Sequence, residues 1–256
     1  MNENDNSMLK ILSLNLNFYA EKHGKWPDRR HLILQAINEA NPDIIALQAV
    51  AKDPNIENGR NQATQLYEEL FNTYSHLYYE PSQADAGDKQ EGAAILSKIR
   101  FSDYQSMRLS FINTEDKSRR VLLAARFHLK EGDFYLFNGH FSWVYDQAQV
   151  NIKEALPYLN DVNGFALLIG DLNHTPDSNL FDPFKVLGWV DVWDKVHSGK
   201  GGYTFESDNP TKRIDYAWAN PVLKDKIVGI ETIQKENNNI RMSDHLAILV
   251  TLDLNP

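Results

Sequence analysis

The chain has 256 residues, of which 42% are hydrophobic and 24% are charged, so it can bury a sizeable core and is too long for a peptide-sized binding module. It has 26 lysines and arginines and 35 aspartates and glutamates, which give a formal net charge of −9. No run of basic residues indicates electrostatic binding of nucleic acid or anionic lipid. Because the sequence contains no cysteine, disulfides, thiolate zinc sites and cysteine nucleophiles are excluded, and any metal must have oxygen or imidazole ligands.

The first eight residues are polar and acidic, without the basic and apolar regions of a signal peptide. Residues 1–8 are therefore predicted to form a flexible segment, and a cytoplasmic location is expected. No apolar run approaches the roughly 20 residues of a membrane-spanning helix, so no membrane span is expected. Because no linker separates the two halves, residues 9–256 are predicted to form a single domain, and we expect a monomer.

The first half of the chain begins with a strand, a helix and a strand. Residues 9–16 form an apolar run, and residues 28–40 carry apolar side chains at helical spacing after Pro27. Pro42 ends this helix and residues 44–47 are typical of a buried strand, so the two strands are predicted to pair in parallel. The charged residues Arg29, Arg30 and His31 are interpreted as a solvated helix start.

The rest of the chain is richer in strands. Helices are predicted at residues 59–71, 147–159 and 180–187, and strands at residues 75–79, 93–96, 121–129, 134–141, 165–170, 214–219, 227–233 and 247–254. The polar stretches 82–90 and 236–239 are predicted to be loops. This order predicts an α/β fold in which helices cover two sheets.

Polar residues recur where the predicted buried strands end. A strand end holds a side chain rigidly while the following loop leaves it open to a substrate, so these positions are candidates for chemistry. They are Asn15, the segment 45–49, His140, Asp171 with Asn173, Asp215, and Asp244 with His245.

In its order of motifs the chain resembles the endonuclease/exonuclease/phosphatase superfamily of magnesium-dependent phosphoesterases. The motifs are Asn15, residues 42–48 (PDIIALQ), residues 92–97 (GAAILS), His140, residues 170–173 (GDLN) with 175–178 (TPDS), residues 213–216 (RIDY) and residues 243–245 (SDH). The resemblance implies a two-sheet β-sandwich flanked by helices, in four layers α/β/β/α. It also implies Mg²⁺ or Mn²⁺ as the cofactor and a phosphate ester, with nucleic acid among the candidates, as the substrate.

One position departs from the family pattern. Where the family has a metal-binding glutamate after Leu-Gln, this chain has Ala49, and a methyl group cannot coordinate a cation. By the resemblance, Asn15 and Asp244 are the remaining metal ligands beside the vacant position. Three explanations of Ala49 are open: the ion is held by fewer ligands, another carboxylate takes the place of the glutamate, or the chain is an inactivated variant. The last is favoured because the surrounding motifs are intact.

The resemblance also implies roles for the other residues. Asp171 would orient or deprotonate the attacking water, and Asn173 would place the scissile phosphate. Asp215 would fix the tautomer of His245 and favour its charged form, and His140 would donate a hydrogen bond or a proton to the phosphate. Whether Asp171 or His245 takes the proton of the water is left open.

Three further residues have a structural interpretation as well as a functional one. Glu91 resembles the acid that supports the histidine at position 140, Arg120 can clamp a phosphate with two hydrogen bonds, and Asn17 occupies the position of an aspartate in the apurinic-endonuclease branch. Tryptophans such as Trp143 are interpreted as core or cleft-wall residues. The sequence thus predicts magnesium-dependent hydrolysis of a phosphodiester, impaired by Ala49, and the alternative is a non-catalytic phosphate-binding protein.

Overall fold

The protein is described here by a computed structural model that covers residues 8–84, 88–112 and 115–255. The predicted flexible segment lies outside these residues except for Met8, which is the first residue of a strand. Two six-stranded sheets and their flanking helices make up this part of the chain, so the predicted fold class is confirmed. No helix in the described ranges combines the length and the apolarity needed to cross a bilayer.

The elements follow in chain order. They are β1 (Met8–Asn15), α1 (Trp26–Ala40), β2 (Ile44–Lys52), α2 (Gln62–Leu70), β3 (His76–Ala84), β4 (Gln90–Ser97), β5 (Asp103–Arg108), β6 (Val121–Leu129), β7 (Gly132–His140), α3 (Tyr145–Asn160), β8 (Phe165–Asp171), α4 (Asp182–Val186), β9 (Val190–Asp191), α5 (Val192–His197), β10 (Asp215–Ala219), β11 (Ile227–Ile233), β12 (Glu236–Asn237), β13 (Ile240–Arg241) and β14 (Ala247–Asp253).

Each large sheet contains one parallel pair of strands in otherwise antiparallel surroundings. The first sheet has the order β11-β14-β1-β2-β4-β3 and the second the order β5-β6-β7-β8-β10-β9. The parallel pairs are β1 with β2 and β7 with β8, and a helix, α1 or α3, makes each crossover, as a parallel connection requires. The predicted strand–helix–strand unit is therefore confirmed.

The core lies in three apolar layers that follow from the alternation of side chains along the strands. Ile11 and Ile44 of the first sheet pack against Leu136 and Ile169 of the second. The neighbouring residues in each strand point outward, where the first sheet packs on α1 and α2 and the second on α3 and α4. This alternation produces the four-layer α/β/β/α sandwich.

A β-bulge interrupts β2 at the end of the sandwich. Leu47 pairs with Ala94 but Val50 pairs with Gly92, so two residues of β2 oppose one of β4. At this point the side chain of Asn138, on β7 of the other sheet, donates to the carbonyl oxygens of Leu47 (3.0 Å) and Ala94 (2.9 Å). Its own oxygen accepts from Nε2 of Gln48 at 2.7 Å. A polar bridge thus joins the two sheets inside an apolar interface.

Two loop predictions hold only in part, and the interpretation of Arg29 is wrong. Stretch 236–239 lies in the hairpin of β12 and β13, and the described ends of stretch 82–90 belong to β3 and β4. Arg29 is fully buried, and its guanidinium compensates for the lost contact with water by donating to main-chain carbonyl oxygens. The acceptors are Leu16, Phe18, Ala20 and Met242. The helix start is therefore not solvated at this position but fixes two neighbouring loops.

Replacement of Asn138 by alanine should test the bridge. The carbonyl groups of Leu47 and Ala94 would lose their donor while remaining buried, so we expect the free energy of unfolding to fall by about 2–4 kcal/mol. Urea unfolding monitored by circular dichroism measures the change, with Asn72→Ala at an exposed position as the control. Equal stability of the two variants would contradict a structural role for the bridge.

Candidate active site

The candidate site lies where the parallel strands of both sheets end. Strand register brings the predicted residues together there: Asn15 pairs with Gln48 in the first sheet, and Asp171 pairs with both His140 and Asp215 in the second. Gly170 allows the close approach of β8 to β7, because a Cβ atom at this position would lie 2.0 Å from the carbonyl oxygen of Gly139.

A cavity of about 280 Å³ opens at this end of the sandwich. Among the predicted residues, its lining includes Asn15, Asn17, Arg120, His140, Asp171, Asn173, Asp244 and His245. Asp215, Glu91 and Ala49 are not in the lining. Asp215 and Glu91 instead lie next to residues of the lining, His245 and His140. Ala49 is the residue after Gln48, at the bulge, where it is buried and has a φ of 48°.

His245 and Asp215 form a buried hydrogen-bonded pair. Nδ1 of His245 lies 2.8 Å from Oδ2 of Asp215, and its Nε2 lies 3.7 Å from Oδ2 of Asp171. Burial lowers the pKa of His245, but Asp215 and Asp171 outweigh burial and raise the pKa well above its usual value. The imidazole is therefore charged at neutral pH and directs an N–H at its Nε2 end toward Asp171.

Asp171 is the central carboxylate of the site. Its Oδ2 accepts a hydrogen bond from Nδ2 of Asn15 at 2.8 Å, and its Oδ1 accepts from the main-chain N–H of Asn173 at 2.9 Å. Burial raises the pKa of Asp171, opposed by the positive charge of His245. A carboxylate with a raised pKa is a better proton acceptor at neutral pH than an ordinary aspartate.

His140 is held by Arg120 and Glu91. Nη1 of Arg120 lies 2.9 Å from Nε2 of His140, and Oε1 of Glu91 lies 3.9 Å from Nδ1 of His140 and 3.6 Å from Nη1 of Arg120. Because a guanidinium only donates, Nε2 of His140 is the acceptor here. Burial, together with the charge of Arg120, holds the pKa of His140 well below its usual value.

Two asparagines shape the loops around the cavity. Asn173 adopts a left-handed conformation (φ 61°) and its Nδ2 donates to the carbonyl oxygen of Phe141 at 2.9 Å. The main-chain N–H of Asn17 donates to Oδ1 of Asn15 at 2.8 Å, so Asn17 acts on Asn15 through its backbone. Asn and Asp tolerate left-handed conformations better than most residues, which accounts for asparagine at both positions.

Asn15 and Asp244, the expected metal ligands, both line the cavity. They offer one amide oxygen and one carboxylate, and Mg²⁺ is often bound through one or two carboxylates, waters and substrate phosphate oxygens. This donor set fits a weak site, since Ala49 adds no oxygen. Asp171, Asp215 and His245 also bring possible ligand atoms within 4.8 Å of one another, but the His245–Asp215 hydrogen bond already occupies Nδ1 of the imidazole.

The sequence interpretation missed several residues of the cavity. Asp116 and Ser118 line it from the loop before β6, and Phe205 contacts the ring of His245 with a centroid distance of 5.0 Å. Trp143 is half exposed in the lining, which agrees with its interpretation as a cleft-wall residue. No strand end or known motif marks Asp116, although an acid four residues before Arg120 is a possible signal for an ion pair.

Comparison with known proteins gives a consistent assignment. The model of the endonuclease/exonuclease/phosphatase family matches residues 12–245. A protein of Acanthamoeba polyphaga mimivirus, "Uncharacterized protein L388", is 30% identical in an alignment 200 residues long that covers 69% of this chain and 71% of that protein.

Solved structures show the same fold. An endonuclease/exonuclease/phosphatase from Beutenbergia cavernae has a TM-score of 0.78 at 22% identity, with 97% of this chain and 72% of that chain covered. One from Bacteroides vulgatus has a TM-score of 0.78 at 17% identity, with 97% and 99% covered. A humanized D. rerio TDP2 has a TM-score of 0.70 at 20% identity, with 96% and 98% covered.

The pKa of His245 provides a test of the pair with Asp215. Because the folded pKa is raised to about 10, the charged imidazole stabilises the fold fully below pH about 6.5, and this contribution is lost as the pH rises through about 10. NMR titration of labelled histidine rings should show this late deprotonation. In Asp215→Asn the pKa should fall, and a His245 that titrates near 6.5 in the parent protein would contradict the pairing.

Proposed function

Because the chain belongs to the endonuclease/exonuclease/phosphatase family, we propose that its site hydrolyses a phosphate ester, with a phosphodiester as the substrate. Members of this family are generally hydrolytic and depend on a divalent metal. The observation that carries the proposal is the convergence of Arg120, Asp171, Asn173 and His245 on one cavity. Donors for phosphoryl oxygens and an acceptor for a proton of water are the groups that displacement at phosphorus needs.

Asp171 is the proton acceptor in this proposal. The charged His245 cannot take a proton, whereas burial prepares Asp171 to do so at neutral pH. His245 instead donates from Nε2 to a phosphoryl oxygen, and Asp215 keeps it charged and oriented from the other side of the ring. The sequence left the choice between Asp171 and His245 open, and their protonation states support Asp171 as the proposed acceptor.

Arg120 and His140 divide the binding of the phosphate in a way that differs from the sequence interpretation. While Nε2 of His140 accepts from Arg120, it has no proton to donate to a phosphate. We assign the donation to Arg120, which lines the cavity and stays charged. His140 then orients the guanidinium, and Asn173 places the phosphate beside Asp171.

Mg²⁺, or Mn²⁺ in its place, is the proposed cofactor, held by Asn15 and Asp244. When bound, the cation compensates charge on the phosphoryl oxygens and on the leaving oxygen. Ala49 leaves the site one carboxylate short of the family pattern, so the activity of this chain is impaired. The same observation favours a second candidate function, a phosphate-ligand binding protein without turnover.

The substitution Ala49→Glu should separate these two functions. A second carboxylate beside Asn15 and Asp244 strengthens the attraction for a dication, so we expect clearly tighter Mg²⁺ binding by titration calorimetry. Hydrolysis of bis(p-nitrophenyl) phosphate should increase and should stop with EDTA. Ala40→Glu, outside the cavity lining, adds the same charge as a control. Equal Mg²⁺ affinity of Ala49→Glu and the parent would mean that the assigned ligands are wrong.

The substitution Asp215→Asn in the Ala49→Glu background tests the role of the pair. An amide keeps the shape but removes the charge that orients and protonates His245, so turnover should fall by at least about 100-fold. Initial rates on the same substrate measure the effect, and Asp225→Asn at an exposed position is the control. A near-normal rate would reduce Asp215 to a structural residue.

A further inference from the structure

We infer that Asp116 is a positioning residue that fixes the guanidinium of Arg120 for phosphate binding. The inference rests on the proposed function, because it concerns how the same cavity holds its anion. Asp116 acts through Arg120 and is therefore distinct from the residues that touch the substrate.

The carboxylate of Asp116 is the best-anchored acid on this side of the cavity. It is 2% exposed, and its Oδ2 accepts from Nη2 of Arg120 at 2.9 Å and from Oγ of Ser142 at 2.6 Å. Its Oδ1 accepts from the main-chain N–H of Ser118 at 2.9 Å. Burial raises the pKa of Asp116, but the charge of Arg120 and the hydrogen bonds from Ser142, Ser118 and Arg120 together outweigh burial and lower it, so the acid is ionised when it makes these bonds.

These bonds determine where the guanidinium points. Asp116 holds Nη2 of Arg120, while Nη1 faces Nε2 of His140. The third nitrogen, Nε, is buried and has no hydrogen-bond partner among the described residues. Because Arg120 also lines the cavity, the arrangement presents a fixed cation to an incoming anion. Without Asp116, the guanidinium would keep the contacts of its Nη1 with His140 at 2.9 Å and with Glu91 at 3.6 Å, but Nη2 would lose its carboxylate.

Ser142 extends the anchor into the second sheet. It follows His140 by two residues, and it donates to Asp116 while its own oxygen accepts from the main-chain N–H of Val144 at 3.1 Å. The loop before β6 and the end of β7 are thus joined through one carboxylate. Asparagine at position 116 has a single oxygen and cannot accept on both sides, so it must lose either the Ser118 bond or the bonds to Arg120 and Ser142.

A positioning role and a simple counter-charge predict opposite effects on anion binding. Removal of a negative charge beside an anion site strengthens anion binding through electrostatics alone. Loss of the anchor weakens it, because the guanidinium must then be ordered by the anion. We expect the second effect to dominate, since Arg120 is buried and Asp116 is the carboxylate that holds its Nη2.

The test is the binding of inorganic phosphate to the chain as it stands, measured by titration calorimetry. Asp116→Asn should weaken binding by at least about 10-fold, and Ser142→Ala should weaken it less. Asp133→Asn is the matched control, because it removes a carboxylate that pairs with another arginine, Arg126 of β6. This variant should bind phosphate as the parent does. Unchanged or tighter binding in Asp116→Asn would overturn the inference.

Two further measurements keep the outcomes distinct. If Arg120→Ala and the parent bind phosphate equally, the proposed role of Arg120 is wrong and the inference fails with it. If Arg120→Ala loses phosphate binding but Asp116→Asn retains it, only the inference is refuted. The ¹⁵N resonance of Nε2 of His140 should report an unprotonated acceptor in the parent and shift in Asp116→Asn. An unchanged resonance would overturn the inference without reference to phosphate. If Asp116→Asn does not fold, the milder Ser142→Ala variant decides by the same two readouts.

Discussion

The hydrogen bond between Gln48 and Asn138 sets the relation between the two halves of the site. It lies in an apolar interface, where an unpaired amide is costly, so a shift of one sheet against the other would separate the side chain of Asn138 from its three partners in the first sheet. Gln48 pairs with Asn15 in one sheet and His140 lies two residues beyond Asn138 in the other. The contact that fixes the sheets therefore also fixes the distance between the proposed metal ligands and the groups proposed to act on the phosphate.

The proposed anionic substrate and the acidic composition of the chain are compatible because of how charge is arranged in the cavity. The net charge of −9 is spread over the whole sequence, whereas the cavity contains Arg120 and the charged His245, each held by a buried carboxylate. Burial strengthens these interactions relative to those at the surface. In the proposed function, anion binding therefore depends on these two cationic side chains in the cavity, which the net charge does not indicate.

Most of the fold was predictable because apolar periodicity reports burial directly. The strands that the pattern missed explain its limits: β5 is exposed along most of its length, and β9 has only two residues, so neither produces a periodic signal. The strand-end residues of the site were found from their positions, but the pairing of Asp215 with His245 across 30 residues came from a resemblance. Arg29 and Asp116 were not identified, because their partners are loop carbonyl groups and loop side chains that only the folded chain brings near.

The buried guanidinium of Arg29 has a consequence for how the cavity is formed. It binds carbonyl groups of the loop after β1 and of the segment before β14, which are the segments that carry Asn15 and Asp244. One side chain of helix α1 thus connects both segments through hydrogen bonds to their main chain. The proposed cation site therefore lies between segments that are joined by the protein's own hydrogen bonds, and none of these bonds involves the side chain at position 49.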